Sequence, residues 1–199
     1  MSIDASDATN YRQAYIHCCG CEAGGKTNED AFKEIKSQIE SAPTNGDLVE
    51  IEIKHSLWWT SELHIGPGKN VKLVGVGNPS PRLSVRGGEN RHVVVDGKFS
   101  AVNIEFTWGA TQKSDFSLEG GSLVVYGQIP LLLNCTFTEN IAYQMGGAIS
   151  VYKGGSIDLI QNCVFKDNKA GVEGDVFAGY QVRIFCPLGT QPPCSQTAN

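Results

Sequence analysis

No stretch of the 199-residue chain holds the eighteen or so consecutive apolar residues that a membrane-spanning helix needs. No block of Lys and Arg occurs, and the formal net charge is -5, so the footprint of a nucleic-acid binder is missing. The first residues, MSIDASDATNYRQAYIHCC, have neither the basic n-region nor the apolar h-region of a secretory signal. The expectation is an intracellular protein or a piece whose signal has been removed. Neither an Asp-Asp pair nor an Asp-x-Asp appears, so the paired acids of many glycosidases have no local signature. Only one segment has helical periodicity, which excludes a helix bundle.

Apolar residues make up 41% of the chain, which suits one domain with a core of its own. The 23 glycines are spread along it and point to many turns. Seven cysteines are many and odd in number. Cys186 and Cys194 flank a proline-rich loop, CPLGTQPPC, that reads as a disulfide-closed tail. His17-Cys18-Cys19-Gly20-Cys21 suggests either a metal knot or disulfides that tie down an N-terminal arm. Adjacent ligands cannot all reach one tetrahedral ion, and no second Cys-x-x-Cys follows, so disulfides are favoured and no metal or cofactor is expected.

The helical segment is residues 27–41, TNEDAFKEIKSQIES. Thr27 or Asn28 caps it, Glu29 and Asp30 lie in its first turn, and Phe32, Ile35 and Ile39 form one apolar stripe. Pro43 and Asn45-Gly46 stop it. From there on the chain reads as ten or more short strands rich in Val, Ile, Leu and Phe, separated by Gly, Asn, Asp or Ser.

A repeat chooses the architecture. Asn134-Cys135-Thr136-Phe137 returns as Asn162-Cys163-Val164-Phe165, and Gly127, Ile129, Asn140, Ala142 and Gly146 also return 28 positions later. Val102-Asn103-Ile104-Glu105-Phe106 precedes Leu133–Phe137 by 31, and Val71–Gly75 precedes Val102–Phe106 by 31 again. Such a chain stacks coils of about three short strands, each pairing in parallel with the next coil. Phe106, Phe137 and Phe165 then form one inward column, and Ile104, Cys135 and Cys163 a second. Cys135 and Cys163 are expected as free thiols packed like small apolar groups. Asn103, Asn134 and Asn162 fall at bends that need a left-handed backbone, with side chains able to bond the next coil. Asn134-Cys135-Thr136 also fits the glycosylation sequon, although an Asn committed to such a ladder is a poor acceptor.

Gly-Gly-Ala-Ile at residues 146–149, with Phe137-Thr138-Glu139-Asn140 before it and Phe165-Lys166-Asp167-Asn168 after it, resembles the paired GGAI and FxxN repeats of polymorphic outer membrane proteins. The helix, the Gly46–Ile51 strand and the Asn70–Gly77 strand are similar to the N-terminal part of the pectin-lyase-like superfamily. Together the resemblance covers about residues 27–186 and implies an all-β, single-stranded, right-handed parallel β-helix of about five rungs behind a capping helix. It divides the chain into an arm (1–26), the capped β-helix (27–186) and a tail (187–199). It also implies a cell-surface or extracellular place. GGAI is complete once and FxxN twice, so the motifs mark the fold more than a partner.

Two function classes follow. One is a structural or interaction protein that docks another protein or a glycan on its flank. The alternative is a small polysaccharide lyase or hydrolase, since the pectin-lyase-like resemblance implies such chemistry. That chemistry needs acid and base on neighbouring coils of one face. The densest polar cluster is Arg86, Glu89, Arg91 and His92, with Asp96 near in sequence and Asp115 farther on. It reads more simply as a solvated loop between strands. His55 and His64 read as surface residues at strand edges. Trp58, Trp59 and Trp108 are the candidate binding residues, because an exposed Trp can stack on a sugar or a protein. Alternation along SLWWTS sends one of Trp58 and Trp59 inward and the other outward. A flat Thr ladder for ice does not repeat at 28.

Overall fold

Thr27 opens a capping box in front of helix α1 (Asn28–Ser41). Its hydroxyl accepts from the Asp30 amide, while the Asp30 carboxylate accepts from the Thr27 amide, each at 3.2 Å. Phe32, Ile35 and Ile39 are the buried face, as the apolar stripe predicts. No basic residue lies in the last turn of α1. Lys69, from a distant bend, reaches across and donates to the Ile39 and Glu40 carbonyls at 2.8 and 2.7 Å, which puts a cation at the negative end of the helix dipole. The computed structural model describes residues 27–85, 90–111, 118–179 and 182–184, the last as strand backbone.

After α1 the chain winds as a parallel β-solenoid. The first sheet holds β1 (Leu48–Ile53), β4 (Asn70–Gly75), β7 (Lys98–Val102), β10 (Gln128–Leu133), β14 (Ser156–Gln161) and β18 (Val182–Ile184). The second holds β2 (Leu57–Trp59), β5 (Arg82–Val85), β8 (Glu105–Thr107), β11 (Thr136–Thr138) and β15 (Val164–Lys166). The third holds β3 (Leu63–Ile65), β6 (Val93–Val95), β9 (Leu123–Val125), β13 (Ile149–Val151) and β17 (Phe177–Gly179). A short fourth pair, β12 (Ile141–Ala142) and β16 (Lys169–Ala170), joins the later coils. Both 5-stranded sheets are therefore five coils deep, or four turns from first strand to last.

The bends explain why the strands are so short. Asn103, Asn134 and Asn162 precede the second sheet with φ of 56, 53 and 53°, as the Asn column predicts. Trp108, Glu139 and Asp167 follow it with φ of 61, 55 and 54°. A left-handed residue on each side confines β8, β11 and β15 to three residues. The first glycine of GGAI has a similar duty: Gly146 and its repeat Gly174 sit at φ 66 and 67°, where a side chain is strained.

Side chains stack through the interior in columns. Phe106, Phe137 and Phe165 are 4.9 and 5.1 Å apart between ring centres, with planes within 12 and 7°. Phe137 is fully buried, which is worth about 2–3 kcal/mol relative to leaving it exposed. Ile104, Cys135 and Cys163 line the second column, and both cysteines are free thiols. At the helix end, the Asn28 side chain donates to the Trp58 carbonyl and accepts from the Trp58 amide, at 3.1 and 2.7 Å. One amide group thus satisfies the edge of β2 that no other described strand covers.

The register at 28 holds from β10 to β14, β11 to β15 and β13 to β17, and Val102 and Phe106 pair with Leu133 and Phe137 at 31. One expected register is corrected. Val71 pairs with Phe99, not Val102, so β4 lies three residues from its expected place. Val and Leu at alternate positions fit either alignment, and the pairing that puts Phe99 and Ala101 inward decides it.

Candidate functional site

His92 enters the core rather than a solvated loop. It is fully buried, and Arg91 beside it is 7% exposed, so the loop reading of these two is corrected. The His92 ring meets Phe106 edge-on at 5.3 Å. Nε2 lies 2.9 Å from the Leu83 carbonyl, which only accepts, so Nε2 carries the proton and donates. Nδ1 then accepts from the Ser122 hydroxyl at 3.0 Å. Burial pushes the imidazole pKa down to about 4, so the ring is neutral at ordinary pH. Arg91 pairs with Glu62 at 3.2 Å, and Glu62 also contacts the exposed His64 at 3.1 Å. His55 is exposed as well. Asp96 sits beyond the far end of β6 and is exposed. Arg91, His92 and Asp96 therefore do not converge on one groove. Arg86, Glu89, Asp115, Cys186, Cys194 and the cluster at Cys18, Cys19 and Cys21 lie outside the described residues.

Trp58 and Trp59 separate as the alternation predicts. Trp59 is fully buried, packed edge-on to Phe32 at 4.9 Å, with its indole N–H on the His92 carbonyl at 2.9 Å. It belongs to the core and presents nothing to a partner. Trp58 and Trp108 are half-buried and stack at 6.0 Å with planes 23° apart. They come from the first and third coils, on either side of Ser84, which pairs with both Trp58 and Thr107. Ser84 and Thr107 are correspondingly buried. The Trp108 N–H donates to Glu139 at 2.8 Å. The result is an aromatic step with a carboxylate at its edge.

A polar groove runs along the solenoid where the third sheet bends into the first. Its volume is about 530 Å³, and Lys69, Asp96, Lys98, Gln128, Asn45 and Ser156 are among its lining. The floor is bare at Gly97 and Gly127, where the bend admits no side chain. A Cβ at Gly97 would strike the Gly66 and Lys69 carbonyls, and one at Gly127 the carbonyls of Gly97 and Asp96. One wall is the column Lys98, Gln128 and Ser156, in register on β7, β10 and β14. Asp96, which leaves β6, also lines the groove, whereas Tyr126 and Tyr152, the equivalent residues after β9 and β13, flank it in the chain without lining it. The two tyrosine rings lie 4.5 Å apart, and Tyr126 is exposed. The groove is thus a strip of backbone edged by donors and acceptors, with a tilted tyrosine pair next to it in the chain.

Sequence reasoning missed both this groove and the buried asparagine ladder. The ladder is not formed by Asn134 and Asn162, whose side chains are exposed, but by the Asn of FxxN. Asn140 donates to the Phe106 carbonyl and to Asn168, at 3.1 and 2.9 Å, and accepts from the Gly109 amide at 2.9 Å. Asn168 repeats the bond to the Phe137 carbonyl at 2.9 Å. Of the expected bend asparagines, Asn103 bonds a neighbouring coil, through the Gly75 and Gly77 carbonyls. The FxxN spacing itself was the available signal for the ladder.

Residues 134–152 match the Chlamydia polymorphic membrane protein repeat. The matched stretch runs from the Asn134 bend through β11, the Asn140 rung, the Gly146 turn and β13. The repeat and the solenoid together fit a β-helix like that of polymorphic membrane proteins. No curated protein and no solved structure matches the chain.

Proposed function

We propose that this solenoid is a non-enzymatic, surface-associated docking module that holds an extended glycan along its axial groove. The observation that carries the reading is the groove's make-up: a strip of glycine backbone edged by a mixed donor-acceptor column, with a tilted tyrosine pair next to it in the chain. Sugars present C–H faces, which rest on the electron-rich faces of aromatic rings, and hydroxyls, which need both donors and acceptors. Tyr126 and Tyr152 suit the first need, and Lys98, Gln128, Ser156 and Asp96 the second. Similarity to a polymorphic membrane protein repeat favours a place at an outer membrane or cell surface. The aromatic step of Trp58 and Trp108 is a second contact surface, open to a glycan or to a protein.

The alternative, a polysaccharide lyase or hydrolase of the pectin-lyase type, is disfavoured by where the candidate residues lie. His92 is locked neutral in the core, and Asp96 is at another bend. The test is titration calorimetry of the full chain against neutral and acidic oligosaccharides, with Tyr126→Ala and Trp58→Ala variants. Tyr126→Ala weakens binding about tenfold under this reading, and Trp58→Ala does not. Loss with Trp58→Ala alone moves the site to the aromatic step. Release of reducing ends or unsaturated uronides overturns the non-enzymatic reading.

A further inference from the structure

Cys135 and Cys163 hold equivalent places in adjacent coils, each just before a strand of the second sheet. Cys135 is fully buried and Cys163 half-buried, in the last coil that contributes to all three main sheets. The Cys163 sulfur lies 3.4 Å from the Cys135 amide nitrogen, which donates to it. We infer that this pair is a two-coordinate binding site for a soft monovalent d10 cation, silver(I) or copper(I).

The spacing of the coils carries the inference. Two metal–sulfur bonds in line, at the length of about 2.3 Å known for zinc thiolates, span about 4.6 Å. Neighbouring strands lie about 4.8 Å apart, so an ion fits between stacked sulfurs without parting the coils. Thiolates select soft ions over Ca²⁺ or Mg²⁺. Among the described residues no three metal-binding side chains gather anywhere, so the geometry available is linear and not tetrahedral.

The binding step balances: two thiols and one M⁺ give an S–M–S⁻ unit and release two protons. The Cys135 N–H already points at one sulfur and stabilises the negative charge. The thiols now donate to the Leu133 and Gln161 carbonyls at 3.4 and 3.5 Å. Those carbonyls also accept the Asn103 and Asn134 amides at 2.9 and 3.0 Å, so losing the thiol protons orphans neither. The Cys135 amide donates to the Cys163 sulfur, which is also the less buried of the two, so Cys163 is the first ligand.

The experiment counts silver ions held by the reduced full chain in chloride-free buffer, by native mass spectrometry. The wild type is compared with Cys135→Ala, Cys163→Ala and the double variant. Silver on the other cysteines is a background common to all four. A shared ion predicts that both single variants and the double variant lose the same one equivalent. Val replacements keep the column filled and repeat the count where Ala impairs folding. Loss of two equivalents in the double variant shows independent thiols and overturns the inference. So does loss of none, or a disulfide between Cys135 and Cys163 in the chain as isolated.

Discussion

His92 ties the fold to pH. Its folded-state pKa of about 4 lies below the 6.5 of an exposed imidazole. Below pH 6.5 the unfolded chain takes up a proton that the folded chain refuses. Stability is therefore full above about pH 6.5, declines as pH falls toward 4 and levels off beneath it. The total loss is on the order of 3 kcal/mol. Urea unfolding midpoints measured from pH 7.5 to 4 check this, and His92→Gln flattens the dependence. A midpoint that does not move between pH 6.5 and 4.5 contradicts the buried neutral ring. Nothing in the sequence around Arg91 and His92 signalled burial. Both are residues of a polar run, and the rings that pack on His92, Phe106 and Trp59, come from other coils.

At the scale of elements, two devices hold the coils in register. The first is the Asn140 rung, which ties Phe106, Gly109 and Asn168 together. Asn140→Ala leaves the Phe106 carbonyl and the Gly109 amide without those bonds, in a place water does not reach. The expected cost is about 2–3 kcal/mol in urea unfolding, against under 1 kcal/mol for Asn134→Ala, whose side chain is exposed. Equal losses at the two positions would mean that the ladder is not where the folded chain draws its support.

The second device is Lys69 on the end of α1. Lys69→Met removes a cation from the helix C-terminus and costs about 1 kcal/mol. Faster hydrogen exchange confined to residues 36–42 is the expected sign, whereas exchange that speeds up evenly along the chain excludes local docking. The helix itself was legible because cap, stripe and stop signals agree between Thr27 and Gly46. The later coils were legible because Asn, Cys and Phe recur together. The early ones misled by three residues, since alternating Val and Leu fit either register. Leu83 takes the Phe position there, and Leu is too common to mark it.

For the whole molecule, stability is a sum of coils and of contacts between neighbouring coils. The groove was not legible from the sequence because it is a product of stacking. Gly97, Asp96, Tyr126 and Gln128 acquire a common meaning only when their coils lie one above another. The chain also absorbs unequal coil lengths: Leu48 pairs 22 residues ahead with Asn70, while Gln128 pairs 28 ahead with Ser156. The strands keep step and the bends take up the difference. A tandem copy of residues 128–155 is therefore expected to fold as one additional coil. In solution scattering the longest dimension grows by about 4.8 Å. A molten or aggregated product refutes that modularity.

The capping amide of Asn28 has a directional consequence. Growth by addition of a coil is blocked at the helix end, where a side chain already occupies the hydrogen-bonding edge of β2. A coil inserted between α1 and β2 would take this edge from Asn28, so added coils are expected to be tolerated within the stack and not ahead of β1.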